Sequence, residues 1–455
     1  MKKTITLLGV LMILWSTSCK KYLDAKSDSK LSTITSLADV QSLLDGYNDI
    51  NTNQVGCSDF SSDDFYLLQA YYDTRRIYYQ RLYTWENSGV FANTAGGSDN
   101  DWSSAFRRIY IANTVLENVD KVSAPLTEST KVNDVKGQGY FLRGYNYLQL
   151  VWAFSKAYSS ETANADLGLP LRLSTDFNQE TPRSSVQQTY DQLIQDLKRA
   201  AALLPVNMAV PNPTRPGKAA AYGALARAYL SMRDYPHCLA YADSSLQIQS
   251  NLVDYNQLNP NASTTFTLFQ VPEVIYIGYH YIASASSMKI DSNLVRSYEN
   301  NDLRKKLFYA ASTDNSFIFK GSYYGQAGAL FDGPAVDEMY LMRAECYARA
   351  GNVEKALADV NTLLKYRMDK TNFVPVIAAA PAETLSIILQ ERRKELIFRG
   401  LRWMDIKRLN LEGANISLTR HINNQVYTLP ANSPRFAIPL PDDILTLGGY
   451  TQNPY

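Results

Sequence analysis

The sequence predicts a mostly α protein, a tetratricopeptide-like helical-repeat scaffold interrupted by long loops that hold short strands. Three observations predict it. Apolar residues recur at helical spacing over long stretches. One helix–turn–helix unit occurs twice within the chain. Two long segments between the helical blocks are instead rich in Asn, Ser, Gly and Tyr.

The elements follow in chain order. Lys2 and Lys3 precede an apolar run from Thr4 to Trp15. That run is too short to span a bilayer, which takes about 20 residues, so it reads as a secretion signal. Ser16, Thr17 and Ser18 lead into Cys19, and Lys20 and Lys21 follow. This is the layout of a lipoprotein signal over residues 1–18, with Cys19 as the lipidated first residue. The alternative is an ordinary signal peptide. Leu usually stands three residues before such a cysteine, and here the position is Ser16. Residues 19–455 are read as one domain.

Trp102 to Asp120 sets Phe106, Ile109, Tyr110, Val115, Leu116 and Val119 at helical spacing. Val132 to Tyr158 does the same with Tyr140, Tyr145, Leu148, Val151 and Trp152. Ser184 to Leu204 is a third helix, capped by Ser184 or Ser185 and ended before Pro205. The repeat comes next. The stretch from Leu225 overlays the one from Arg343, matching Ala226 to Ala344, Tyr229 to Tyr347, Cys238 to Ala356, Leu239 to Leu357 and Ala240 to Ala358. Each copy is a helix, a tight turn at Arg233-Asp234 or Gly351-Asn352, and a second helix. Small Ala lets the helices approach, and Tyr fills the groove. A helix pair cannot bury its apolar face alone, so further units must stack on it. The inserted loops span about 51–101 and 251–333, the second with strand-like runs such as Val274 to Tyr279. Long loops on a rigid scaffold are the layout of a binding protein.

Composition narrows the partners. There are 45 Lys+Arg and 44 Asp+Glu, and loss of Lys2 and Lys3 with the signal leaves a balance of −1. Such a chain has no electrostatic claim on nucleic acid. Tyrosine is abundant, 32 against 16 Phe, and its flat face and polar tip suit wet binding surfaces as well as helix packing. Cys238 and Cys346 fall on apolar helix faces and read as small buried hydrophobes. Cys57 leaves the count odd. His237, His280 and His421 lack metal-ligand spacing, so neither a metal site nor a cofactor is expected. Asp59, Asp63 and Asp64 lack the glycine and terminal Glu of a calcium loop and read as a solvated acidic loop.

The segment from Glu391 to Arg408 resembles the signature of the SusD/RagB family of outer-membrane lipoproteins, Glu-Arg-x-x-Glu-Leu-x-x-Glu-Gly-x-Arg-x-x-Asp-Leu-x-Arg. Glu391, Arg392, Glu395, Leu396, Gly400, Arg402, Asp405 and Arg408 match, and Arg399 stands where the family has Glu. Ile438 to Ile444 with Gln452-Asn453-Pro454, Cys19 to Asp24, the Trp102–Tyr110–Asn113 helix, the Arg143–Tyr147 helix and Ser185 to Leu197 resemble the family as well. The resemblance implies four tetratricopeptide-like units with a loop-rich ligand-binding face containing short strands. It implies a surface lipoprotein that captures glycans, or peptides and other nutrients. It also implies a partner, a SusC-type TonB-dependent outer-membrane transporter over which the protein acts as a lid. The charged signature itself reads as a structural ion-pair network.

Sugar rings offer apolar faces to aromatics and hydroxyls to polar side chains. The densest mix of such residues runs from Phe65 to Trp85, and Tyr72, Arg75, Tyr79, Tyr83 and Trp85 are the candidate ligand contacts. Tyr323 and Tyr324 in the Gly-Ser-Tyr-Tyr-Gly loop come second. The competing reading is that these rings pack the loop onto the scaffold. A glycoside hydrolase would need two convergent carboxylates, and Asp63-Asp64 and Asp442-Asp443 are merely adjacent in sequence. No Gly-x-Ser-x-Gly, His-Glu-x-x-His or phosphate loop occurs, so no catalysis is expected. A repeat scaffold that binds only proteins is the third reading.

Overall fold

The computed structural model describes residues 34–91, 100–122, 128–206, 213–281, 287–326 and 328–455. The signal segment and Cys19 lie outside them. Among the described residues ten helices reach eight residues: α1 (Leu37–Leu44), α2 (Asp101–Asn118), α3 (Ser129–Phe154), α4 (Val186–Leu203), α5 (Lys218–Met232), α6 (Tyr235–Ile248), α7 (Val336–Arg349), α8 (Val353–Lys365), α9 (Pro381–Glu395) and α10 (Arg402–Asn410). α1 packs on α2 and α3, α3 on α4, α4 on α5, α5 on α6, α6 on α7, and α7 on both α8 and α9. This is the mostly α, tetratricopeptide-like scaffold that the periodicity predicts.

Local rules set the helix ends. Ser185 caps α4 through a capping box with Gln188, and α4 stops at Leu203, just ahead of Pro205. α3 differs from the expectation: it begins at Ser129 and ends at Phe154, not Tyr158. Ser155 turns extended, and the Lys407 ammonium donates to the Trp152 and Ser155 carbonyls at 2.6 Å, closing that end from another helix. In the repeat, Ala226, Ala344, Ala356 and Cys238 are fully enclosed at the crossings. Arg233 and Gly351 both take left-handed backbone at the turn, and Asp234 and Asn352 cap the second helices. Cys57, Cys238 and Cys346 are free and buried.

The described strands form five two-stranded antiparallel ribbons. β1 (Phe65–Leu67), β2 (Leu167–Pro170), β3 (Arg183–Ser185), β4 (Tyr279–Tyr281), β5 (Met288–Ile290), β6 (Tyr309–Ala311), β7 (Phe317–Phe319), β8 (Ala329–Phe331), β9 (Leu418–Ile422) and β10 (Gln425–Leu429) pair as β1–β5, β2–β3, β4–β8, β6–β7 and β9–β10. The β1–β5 ribbon joins the two inserted loops, with Phe65 opposite Ile290 and Leu67 opposite Met288. Asn423 and Asn424, both at positive φ, make the two-residue turn of the β9–β10 hairpin.

The signature residues bind these parts together. Fully buried Arg304, in the second loop, donates to Asp302, Glu391 and Glu395, and Arg367 donates to Glu395 and Glu273. Arg392 and Arg408 share Asp405, and Arg408 also holds Glu345. Arg399, the departure from the signature, finds Asp337 at 3.0 Å and lies over the rings of Tyr323 and Phe331. The acidic trio corrects the expectation of a solvated loop. Asp59 and Asp64 are fully buried, and Asp63 accepts both Arg402 donors at 2.6 and 2.7 Å. Arg393 pairs with Asp64, whose carboxylate also accepts from Phe398 N, and Asp59 accepts from Gly400 N. Arg393 and Arg402 hold the Asp63 carboxyl far below the ordinary carboxylate range against its burial.

Candidate functional site

The Tyr-rich segment folds into β1 and two short helices, Gln69–Asp73 and Ile77–Tyr83. Its candidates divide between interior and rim. Trp85, 4 % exposed, donates its indole N–H to the Ser61 carbonyl. The buried guanidinium of Arg420 lies 4.4 Å from the Tyr83 centroid and 5.1 Å from that of Trp85. The Tyr83 hydroxyl accepts from Leu67 N, and Tyr72 is buried beside the Tyr83 ring. These three rings therefore fix the loop to its base. Tyr79 is half-buried, packed 4.7 Å from Phe60, and Arg75 is half-buried with its guanidinium on the Tyr71 carbonyl and the Thr74 hydroxyl. Around them the surface carries Tyr71, 41 % exposed, together with Leu68 and Ile77. Gln69 accepts from Asn423 N, which sets the β9–β10 hairpin turn against this rim.

Tyr323 and Tyr324 point different ways. The Tyr323 hydroxyl is buried within 3.1 Å of Glu273, Asp337 and Tyr255. Burial pushes that hydroxyl well above its ordinary value, and the Glu273 carboxyl up to about 7 against the Arg367 guanidinium beside it. Tyr324 instead stacks on Tyr279 at 3.8 Å between centroids. Tyr279 touches Tyr47 at 6.1 Å and Tyr281 at 5.4 Å, and Tyr47 reaches Phe269 at 6.3 Å. This run of five rings leads from the buried Tyr324 to Tyr281, 52 % exposed, and Phe269, 56 % exposed. Phe269 sits at a φ of 63°, an unusual backbone state for a bulky residue. Sequence reasoning passed over Tyr47, Phe269, Tyr279 and Tyr281. The alternation Tyr279-His280-Tyr281 in a strand was the available signal, since it sends the two tyrosines to one face.

Chemically, Tyr281 and Phe269 offer exposed apolar planes, and the rim over residues 69–83 offers Tyr71 with the Gln69 amide and the Arg75 guanidinium. Asp59 and Asp63 beneath the Tyr-rich segment are engaged with arginines, backbone N–H groups or the His280 ring, and Asp73 on its rim accepts from the Gln69 amide. Among the described residues, no group of three His, Cys, Asp or Glu is arranged to hold a metal ion. No described helix is long and apolar enough to cross a membrane.

Residues 21–230 match a family model described as starch-binding, associating with the outer membrane, and residues 337–440 match the SusD family model. SusD-like protein P2 of Formosa agariphila is 24 % identical over 387 residues, covering 70 % of this chain and 74 % of that protein. A crystal structure of a putative sugar binding protein from Bacteroides vulgatus superposes with a TM-score of 0.74 at 22 % identity, covering 93 % of this chain and 99 % of that one. A SusD superfamily protein from Bacteroides thetaiotaomicron gives 0.72 at 19 % identity, covering 92 % and 100 %. With the stacked helical scaffold, the buried Glu391–Arg408 network and both matched segments in place, the chain belongs to the SusD family.

Proposed function

We propose that this protein captures glycans at a bacterial outer surface and passes them, unaltered, to a SusC-type TonB-dependent transporter. The lipid on Cys19 anchors it to the outer membrane. The observation that carries the reading is the run of five aromatic rings ending in exposed Tyr281 and Phe269, which offers preformed apolar planes to sugar faces. Family membership and the sugar-binding description of the Bacteroides vulgatus relative support it. Of the candidate contacts, Arg75 and Tyr79 meet ligand directly, with Tyr71 at the rim, and Tyr324 backs the exposed rings from beneath. Tyr72, Tyr83, Trp85 and Tyr323 act from beneath by holding the loop in shape.

Calorimetry on the chain from residue 20, against starch, other polysaccharides, oligosaccharides and peptides, tests this. Saturable glycan binding is expected. Tyr281→Ala and Arg75→Ala should each weaken it about tenfold, roughly 1.4 kcal/mol, with little change in melting temperature. Binding of peptides alone would replace glycan with peptide capture. Release of shortened sugars from the polysaccharides would overturn the non-catalytic reading.

A further inference from the structure

The corner between α9 and α10 holds a small, partly open cavity of about 20 Å³, walled by Leu389, Arg392, Arg393, Arg402, Asp405 and Arg408. About 10–15 Å³ admits one water-sized occupant, so the space takes a single small particle. Four guanidiniums and one carboxylate line it. Arg392 is 2 % exposed, and its Nε donates to Asp405 at 2.8 Å. Its Nη1 and Nη2 are buried with no hydrogen-bond partner among the described residues. Asp405 is already shared, because its other oxygen accepts from Arg408 at 2.8 Å. Asp63, Asp64 and Glu345 neutralise Arg393, Arg402 and Arg408, but none of them reaches Arg392. Burial and the neighbouring Arg402 depress Arg393 to about 9, a mark of crowded positive charge. Cationic donors left unpaired in such a place are costly, so an acceptor belongs there.

We propose that the cavity binds one monovalent anion of chloride size, held by the Nη1 and Nη2 donors of Arg392 between the converging arginines. A water is the competing occupant, since each Asp405 oxygen accepts one hydrogen bond and has room for a second, and the halide comparison separates the two. The anion completes the hydrogen bonding of Arg392 within the ion-pair network that joins α9 to α10.

The full chain is compared in sodium chloride, sodium bromide and sodium gluconate at equal ionic strength. Chloride-35 NMR should show excess line broadening that bromide competes away. The melting temperature should be at least about 1 °C higher in either halide than in gluconate. Arg392→Gln removes the guanidinium and its charge, and Leu389→Trp fills the space from its half-buried side while keeping every arginine in the chain. Both should lose the broadening and the halide shift. If Arg392→Gln does not fold, Leu389→Trp alone decides. Equal melting and no broadening in the parent would mean that a water fills the cavity and would overturn the proposal. Broadening retained by Leu389→Trp would place the anion elsewhere and overturn it too.

Discussion

His280 is fully enclosed, with one ring nitrogen 3.1 Å from Asp332 and the other 3.4 Å from Asp59. The backbone of Gly56 lies against the ring so closely that a Cβ there would meet it at 2.5 Å. Burial opposes the charged ring, but the two aspartates outweigh it and raise its pKa from 6.5 to about 10. A group raised on folding stabilises fully below its unfolded value and loses that contribution as pH climbs through the folded one. The clamp should therefore be complete below about pH 6.5 and fade between 6.5 and 10, by at most about 5 kcal/mol at 1.36 kcal/mol per unit. Buried Lys407, lowered to about 7, acts in the opposite sense over this range, so the test is the difference: from pH 7 to 9.5 the denaturant midpoint of the parent should fall relative to that of His280→Gln. A constant difference between the two would mean a neutral imidazole. None of this was legible in the sequence, where His280 is one of three scattered histidines. Its partners stand 221 and 52 positions away, and no local spacing announces a pair of that kind. The same distance hid the burial of Asp59 and Asp64, which looked like a wet acidic loop because only their neighbours in the chain were visible. Arg399 repeats the point, since Asp337 answers it from a helix 62 residues away.

Helices and turns were far more legible, because short-range rules govern them. The capping box at Ser185, the stop ahead of Pro205 and the repeat from Leu225 and Arg343 all depend on residues within a turn or two. The error at the end of α3 has a long-range cause: Lys407 closes it from α10. The two repeat turns offer a test of backbone against side chain. Gly351 has a φ of 79° with nothing within 4 Å of its missing Cβ, so a side chain there meets only backbone strain. Gly351→Ala should cost about 1 kcal/mol, read as a lower urea midpoint with unchanged slope. Arg233 holds the matching position at a φ of 62° and spends its guanidinium on the Tyr158 carbonyl at 2.8 Å. Arg233→Gly relieves the strain and loses that bond, so its midpoint should move by less than half as much. A larger fall for Arg233→Gly than for Gly351→Ala would show that the tether to Tyr158, not the backbone, sets this turn.

At the scale of the molecule the loops are built into the scaffold. One hydrophobic core runs from Val55 in the first inserted loop, through Val271 to Phe331 in the second, to Leu440 near the end of the chain. The buried charges follow the same path. Arg304 ties the second loop to α9 through Glu391 and Glu395, Arg402 ties the first loop to α10 through Asp63, and Arg367 closes the ring by way of Glu273. The sequence pointed to the charged helix that matters, but not to its role as the post to which both loops are moored. Chains of this length commonly unfold through intermediates. Here, removing either loop would strand buried charges, and an uncompensated buried partner costs about 3–5 kcal/mol. We therefore expect one cooperative transition for the chain from residue 20. The calorimetric and van't Hoff enthalpies should agree, and far-ultraviolet and near-ultraviolet dichroism should report the same midpoint. Glu395→Gln, which loosens Arg304 and Arg367 together, should lower that midpoint and leave the two signals coincident. If the near-ultraviolet signal of the Tyr-rich loops melts first in the parent, the loops fold as a separate unit, and the ligand face owes its shape to its own packing rather than to the charged helix beneath it.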